Sequence, residues 1–153
     1  MSEHSPVVVV GVDGSRASVD ALGWAVEYAR CADASLRVVL AWERPTRVGY
    51  SPGVSPLPDA EPADRGREEA AADTLTAVIR MAAGETPPVP VERRVVQGPP
   101  AGVLIEEAAT ADLLVVGSRG HGAVTSLLIG SVSTHCVQRA PCPVVVVRAH
   151  KAG

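Results

Sequence analysis

Five short runs of valine and leucine, each separated from the next by a segment with helical spacing, constrain this chain more than any other feature. The runs are Val7 to Val10, Leu36 to Leu40, Val91 to Val96, Leu113 to Val116 and Val144 to Val147. Several are continuously apolar, as expected of parallel strands covered on both faces. Between them, Ala21, Leu22, Ala25, Val26 and Ala29 share one helical face, and Ala71, Leu75, Val78, Ile79 and Ala82 share another. A third helix is predicted from Pro99-Pro100, with Leu104, Ile105 and Ala108 inward, because proline suits a first helical turn. A fourth starts near Ser131, carries Val132, Cys136 and Ala140 on one face, and is stopped by Pro141 and Pro143.

The order βαβαβαβαβ predicts an α/β fold: an open, mostly parallel five-stranded sheet with helices on both faces and right-handed crossovers. Ligands of such sheets bind beyond the strand C-termini, where the strand order reverses. At 153 residues the chain is read as one domain, 1–153, able to bury a core without staples. With 46% hydrophobic residues, 3% aromatic and no Phe, that core must be valine, leucine, isoleucine and alanine. Trp24 and Trp42 are expected to pack and not to serve as stacking platforms. The stretch Arg44 to Pro62 holds five of the 13 prolines, with Gly49, Tyr50 and Gly53, and reads as a lid, with Tyr50 over a ligand, or as a mobile connection.

A formal charge of −3 with scattered basic residues argues against nucleic acid as a partner. Three cysteines, Cys31, Cys136 and Cys142, at no zinc-like spacing fit free thiols in a reducing, cytoplasmic setting. No basic leader precedes the first strand, and no apolar stretch approaches the roughly 18 residues of a membrane span, so neither secretion nor membrane insertion is expected. His4 and His150 fall in termini expected to fray. His135 and Cys136, as neighbours, point to different helix faces, which argues against a catalytic pair.

Two segments carry chemistry. In Val7 to Ser15 the first strand is expected to end at Asp13, either beside the ligand crevice or ordering the turn, with Ser15 as N-cap of the next helix. In the second segment Gly117 ends the fourth strand, Gly120 follows, and Gly130-Ser131 comes after nine intervening residues, directly before a helix. Phosphates need such a place, with unobstructed amides and a helix N-terminus whose dipole favours negative charge. Ser131 and Ser133 are candidate hydroxyl donors, and Ser131 a candidate N-cap. Arg119 and His121, at the loop tip, either touch phosphate or point to water. No lysine follows the last glycine, and the spacing is not G-x-G-x-x-G, so neither common phosphate loop is present.

Gly117-x2-Gly120-x9-Gly130-Ser131 resembles the ATP-binding signature of the universal stress protein family, G-x2-G-x9-G-[ST]. The resemblance extends to Val7 to Ser15, Leu36 to Trp42, "ADLLVVGSRGHG" and the terminal "APCPVVVVR". It implies a flavodoxin-like, Rossmann-like sheet of order 3-2-1-4-5. It implies adenine and ribose between Gly11, Val12 and Asp13, Ala41, and Val116-Gly117, with the triphosphate along Gly120 and Gly130, Ser131, Val132 and Ser133. A divalent ion, Mg2+, is implied on the phosphates, with no protein metal site and no catalytic residue. Ala41 departs from the larger aliphatic often found there, which would loosen packing around adenine. The family also implies a homodimer through antiparallel pairing of Val144 to Val147, an edge that would otherwise invite association.

The leading reading is an ATP-binding, nucleotide-sensing regulatory dimer of the stress response, not an enzyme, acting on a protein partner that the sequence does not identify. One alternative is an ATP-using enzyme cleaving between the α and β phosphates, for which the chain offers little room. The other is a nucleotide-independent interaction module whose glycines are structural.

Overall fold

The computed structural model describes residues 4–44, 60–119 and 129–148. Its elements run β1 (Val7–Gly11), α1 (Arg16–Ala32), β2 (Ser35–Trp42), α2 (Ala60–Ala83), β3 (Val91–Gln97), α3 (Pro100–Ala108), β4 (Leu113–Gly117), α4 (Ser131–Arg139) and β5 (Val144–Val147). The five strands form one sheet of order β3-β2-β1-β4-β5, every neighbouring pair parallel. This is the predicted topology, and the reversal of strand order falls between β1 and β4.

Alternation along the strands splits the core into two layers. Val8, Val10, Leu36 and Val38 meet α1 and α2, with Leu22 and Ile79 among the helical partners. Val9, Val39, Leu114 and Val116 meet the other layer, where α3 and α4 supply Leu104 and Cys136. Burying each such aliphatic side chain is worth about 1.5–3 kcal/mol, so the layers carry the fold without aromatic residues. In α3 the inward residues are Val103, Leu104 and Ala108, and Ile105 is only half-buried, which corrects the predicted face by one position. The arc toward the sheet is centred on Leu104, which meets β1 at Gly11.

Local chemistry sets the helix ends. Ser15 caps α1 as expected, its Oγ accepting the Ser18 amide at 3.2 Å. Asp33, left-handed at φ 53°, ends that helix, a conformation that its short polar side chain tolerates. Helix α2 begins at Ala60, inside the stretch predicted as a connection, with Pro62 in the first turn, where a missing N–H costs nothing. Tyr50 lies outside the described residues. Arg44, just past β2, pairs with Asp64 of α2, which also meets Arg67 at 3.5 Å.

Two features depart from the sequence reading. His4 is not frayed: its Nε2 lies 2.8 Å from Oδ1 of Asp112, whose Oδ2 accepts the Val7 amide at 2.8 Å. This fastens the start of β1 to the start of β4, and the Val7 amide, with His4 second, holds the Asp112 carboxyl below its ordinary value. Trp42 is half-buried against the core, but Trp24 stands 38% exposed on α1. At the β3 edge, Arg37 of β2 reaches Glu92 at 3.1 Å, Thr110 at 2.9 Å and Glu107 at 3.4 Å, and Arg94 reaches Glu107 at 2.7 Å.

Candidate functional site

Strand length creates a crevice at the C-terminal end of β1. Strand β1 stops at Gly11, level with Val39, whereas β2 continues to Trp42, paired there with Gln97 of β3. On the other side Val10 is level with Val115, so β4 runs to Gly117 one residue past the end of β1. The notch between longer neighbours coincides with the reversal of strand order, the place where ligands of such sheets bind.

Main chain and small residues border this notch. Val12 turns its amide to the Val39 carbonyl at 2.9 Å, and its side chain is buried. Asp13 lies beyond the strand, in the turn, which corrects the expected end of β1. It is exposed, and its Oδ1 accepts the Ser15 amide at 2.9 Å, so it orders the turn into α1. Ala41, half-buried, packs against the α3 and α4 layer, and Val116 is buried in the same layer.

Both bordering glycines are explained by packing. A β-carbon on Gly11 would lie 2.5 Å from Cδ1 of Leu104, and one on Gly117 would lie 2.9 Å from the Ala17 carbonyl oxygen. The bare Cα of Gly117 is thus filled by α1, and not left open for a ligand. It draws the first turn of α1 against the end of β4.

From Gly117 the chain passes to Ser118, which is buried and donates its amide to the Val147 carbonyl at 2.8 Å. The Ser118 carbonyl accepts the Gly130 amide at 2.6 Å. That bond brings the start of α4 back beside the end of β4. Arg119 follows, half-buried; Gly120 and His121 lie outside the described residues. Sequence reasoning passed over Ser118, because a serine after a strand-ending glycine looks like any loop residue.

Gly130, in place of Ser131, is the N-cap of α4, and among the described residues no side chain caps the helix. Ser131 is the first helical residue and is exposed. Ser133 does not present its hydroxyl: it is 2% exposed, and its Oγ donates to the Gly130 carbonyl at 3.0 Å. Thr134 bonds the same carbonyl at 2.9 Å. Val132 packs half-buried against the core, leaving its contribution to main chain. His135 turns Nδ1 to the Ser131 carbonyl at 2.9 Å, while Cys136 is buried, its thiol pushed up to about 11 by desolvation, so the two do face apart.

Chemically, a helix start without a side-chain cap, beside a sheet notch, offers amide donors and a positive dipole end to an anion. Among the described residues, no cluster of three His, Cys, Asp or Glu side chains suits a metal ion. No described helix is long and apolar enough to cross a membrane.

Known proteins are similar to this chain in sequence and fold. A universal stress protein of Mycolicibacterium smegmatis is 37% identical over 141 residues, 92% of this chain and 45% of that one. The chain spans about half the length of the curated relatives it matches. Among solved structures, universal stress protein UspA from Lactobacillus plantarum superposes with a TM-score of 0.66 at 25% identity, over 96% of this chain and all of that one. A universal stress protein in complex with cAMP does so with a TM-score of 0.58 at 29% identity, over 97% and 100% of the two chains. The model of the universal stress protein family matches residues 6–148, from just before β1 to the end of β5 with the notch and α4 between them, and the chain belongs to that family.

Proposed function

We propose that this chain binds ATP in the notch at the end of β1 and works as a nucleotide-sensing regulatory dimer of the cytoplasmic stress response. The observation that carries this reading is the Gly130 amide bonded to the Ser118 carbonyl at 2.6 Å, which sets a helix start with no side-chain cap beside the notch. Adenine and ribose would lie among Gly11, Val12, Asp13, Ala41, Val116 and Gly117. The phosphates would follow Arg119, pass Gly130, whose own amide is held by the Ser118 carbonyl, and meet the amides of Ser131, Val132 and Ser133. The G-x2-G-x9-G-[ST] spacing assigns Gly120 and His121 to the same phosphate path. A solved relative at 29% identity binds cAMP, which supports an adenine nucleotide as the ligand class.

The donor set fits phosphates through main chain, and Mg2+ would ride on them with no protein cluster of its own. We read the chain as a binder and not an enzyme. The hydroxyl of Ser133, the ring of His135 and the thiol of Cys136 are each engaged or buried within the α4 turn.

The dimer reading rests on β5. The Leu114 amide donates to the Pro143 carbonyl and the Ser118 amide to the Val147 carbonyl, so odd-numbered residues of this strand point their main chain at β4. By alternation, Val144 and Val146 turn theirs to the open edge, where a second copy of β5 would pair.

Mass spectrometry of small molecules released from the purified protein tests the ligand, with ATP expected in near-equimolar amount. Ser131→Pro sharpens the test: proline suits the first helical position after the extended Gly130 but deletes an amide. It should keep the fold and weaken MgATP binding at least about tenfold. A protein that releases no nucleotide and shows no thermal shift with MgATP, AMP or cAMP would refute the reading.

A further inference from the structure

The chain has only two Trp, two Tyr and no Phe, yet two of its aromatic residues stand together on the surface. Trp24 and Tyr28 of α1 stack with ring centroids 5.4 Å apart and planes 13° from parallel, at 38% and 41% exposure. Stacked rings at the surface of a domain whose core avoids aromatics point to contact with another surface.

Their position on α1 follows from helix geometry. Ala17 touches Gly117 of β4. At 3.6 residues per turn, a residue seven positions on and one eleven positions on both return to within about 20° of the bearing of Ala17. Trp24 and Tyr28 hold those places. They lie on the flank of α1 that faces β4 and the β5 edge, while α2 covers β2 and β3 beyond the opposite flank.

Antiparallel pairing of an edge strand with its own copy has its two-fold axis perpendicular to the sheet, so each layer stays on its own face. The α1 flank of one copy then meets the α1 flank of the other across that axis. The strand alone is too small for a stable contact. A standard interface uses about 20–30 residues a side, and β5 has four.

We propose that the Trp24–Tyr28 pair is the aromatic anchor of a self-association surface, packed against α1 of a second copy whose β5 pairs with β5 here. This rests on the dimer reading above and adds the helix layer to it. Both rings are exposed in the single chain, so removing them leaves its core untouched.

The test is sedimentation equilibrium on the full chain and on Trp24→Ala/Tyr28→Ala and Val146→Pro variants. Circular dichroism confirms that each is folded. Acrylamide quenching in a Trp42→Phe background leaves Trp24 as the reporter. The aromatic double variant should weaken dimerisation at least about tenfold, as for buried aromatic hot spots, and Trp24 should become shielded from acrylamide as the dimer forms. A dimer with unchanged affinity in the double variant and equal quenching of Trp24 in monomer and dimer overturns the aromatic anchor and leaves strand pairing standing. A dimer lost in the double variant but kept in Val146→Pro overturns strand pairing instead. A chain that stays monomeric at all concentrations overturns both.

Discussion

Gly117 of β4 and Ala17 of α1 approach so closely that a β-carbon on the glycine would lie 2.9 Å from the Ala17 carbonyl oxygen and 3.0 Å from its carbon. The obstacle is main chain, which does not swing aside. Gly117→Ala should therefore destabilise the protein by about 1–3 kcal/mol, as overpacking does, read by urea unfolding. Ala17→Gly should not rescue it, because the carbonyl stays in place. A stable Gly117→Ala protein would show that α1 shifts freely against the sheet.

Gly11 presents the opposite case. Its obstacle is the far end of the Leu104 side chain, 2.5 Å from the would-be β-carbon. Leu104→Ala alone should cost about 2–5 kcal/mol. Combined with Gly11→Ala, the loss should be smaller than the sum by about 0.5–3 kcal/mol. Strict additivity in the double-mutant cycle would mean that the two residues do not share one space.

The Asp112 carboxyl is held below its ordinary value of 3.8, first by the Val7 amide and then by His4. A carboxyl depressed in the folded state stabilises above its unfolded pKa, and that stability is lost as pH falls through the folded value. Asp112→Asn should thus melt at a lower temperature than wild type at pH 7. The gap should narrow as the pH drops below about 4. A gap constant from pH 7 to pH 2 would exclude an ionised contact.

Burial pushes the Cys136 thiol up to about 11, whereas Cys31 is exposed on α1. While it stays buried, only about one Cys136 in a thousand would be thiolate at pH 8. Alkylation under native conditions should label Cys31 first and leave Cys136 unmodified until the protein unfolds, as peptide mapping would report. Equal rates would mean that α4 opens readily.

The periodicities gave the sheet and its helices because β-branched runs and three-to-four spacing report directly on burial. Val8 and Val10 against Val9, or Leu75 and Ile79 on α2, are where the pattern places them. Side-chain hydroxyls and tips were less legible. Ser131 and Ser133 look alike in a serine-rich turn, yet one is exposed and the other bonds the Gly130 carbonyl. That difference depends on where the chain re-enters beside Ser118. Gly117 was visible as a glycine, but its reason, the carbonyl of Ala17, is a contact between residues a hundred positions apart. Trp24 was misjudged for a similar cause: helical spacing gives a bearing, and only the neighbouring edge of the sheet decides whether that bearing is covered.

The shortness of β1 has a consequence for how such a pocket tolerates substitution. A recess walled by side chains is reshaped by any replacement, but this one exists because one strand ends before its neighbours. Most exchanges along its rim would retune what it prefers to hold without erasing it. Lengthening the strand, by contrast, would fill it with main chain, so changes of length are far more dangerous here than changes of identity.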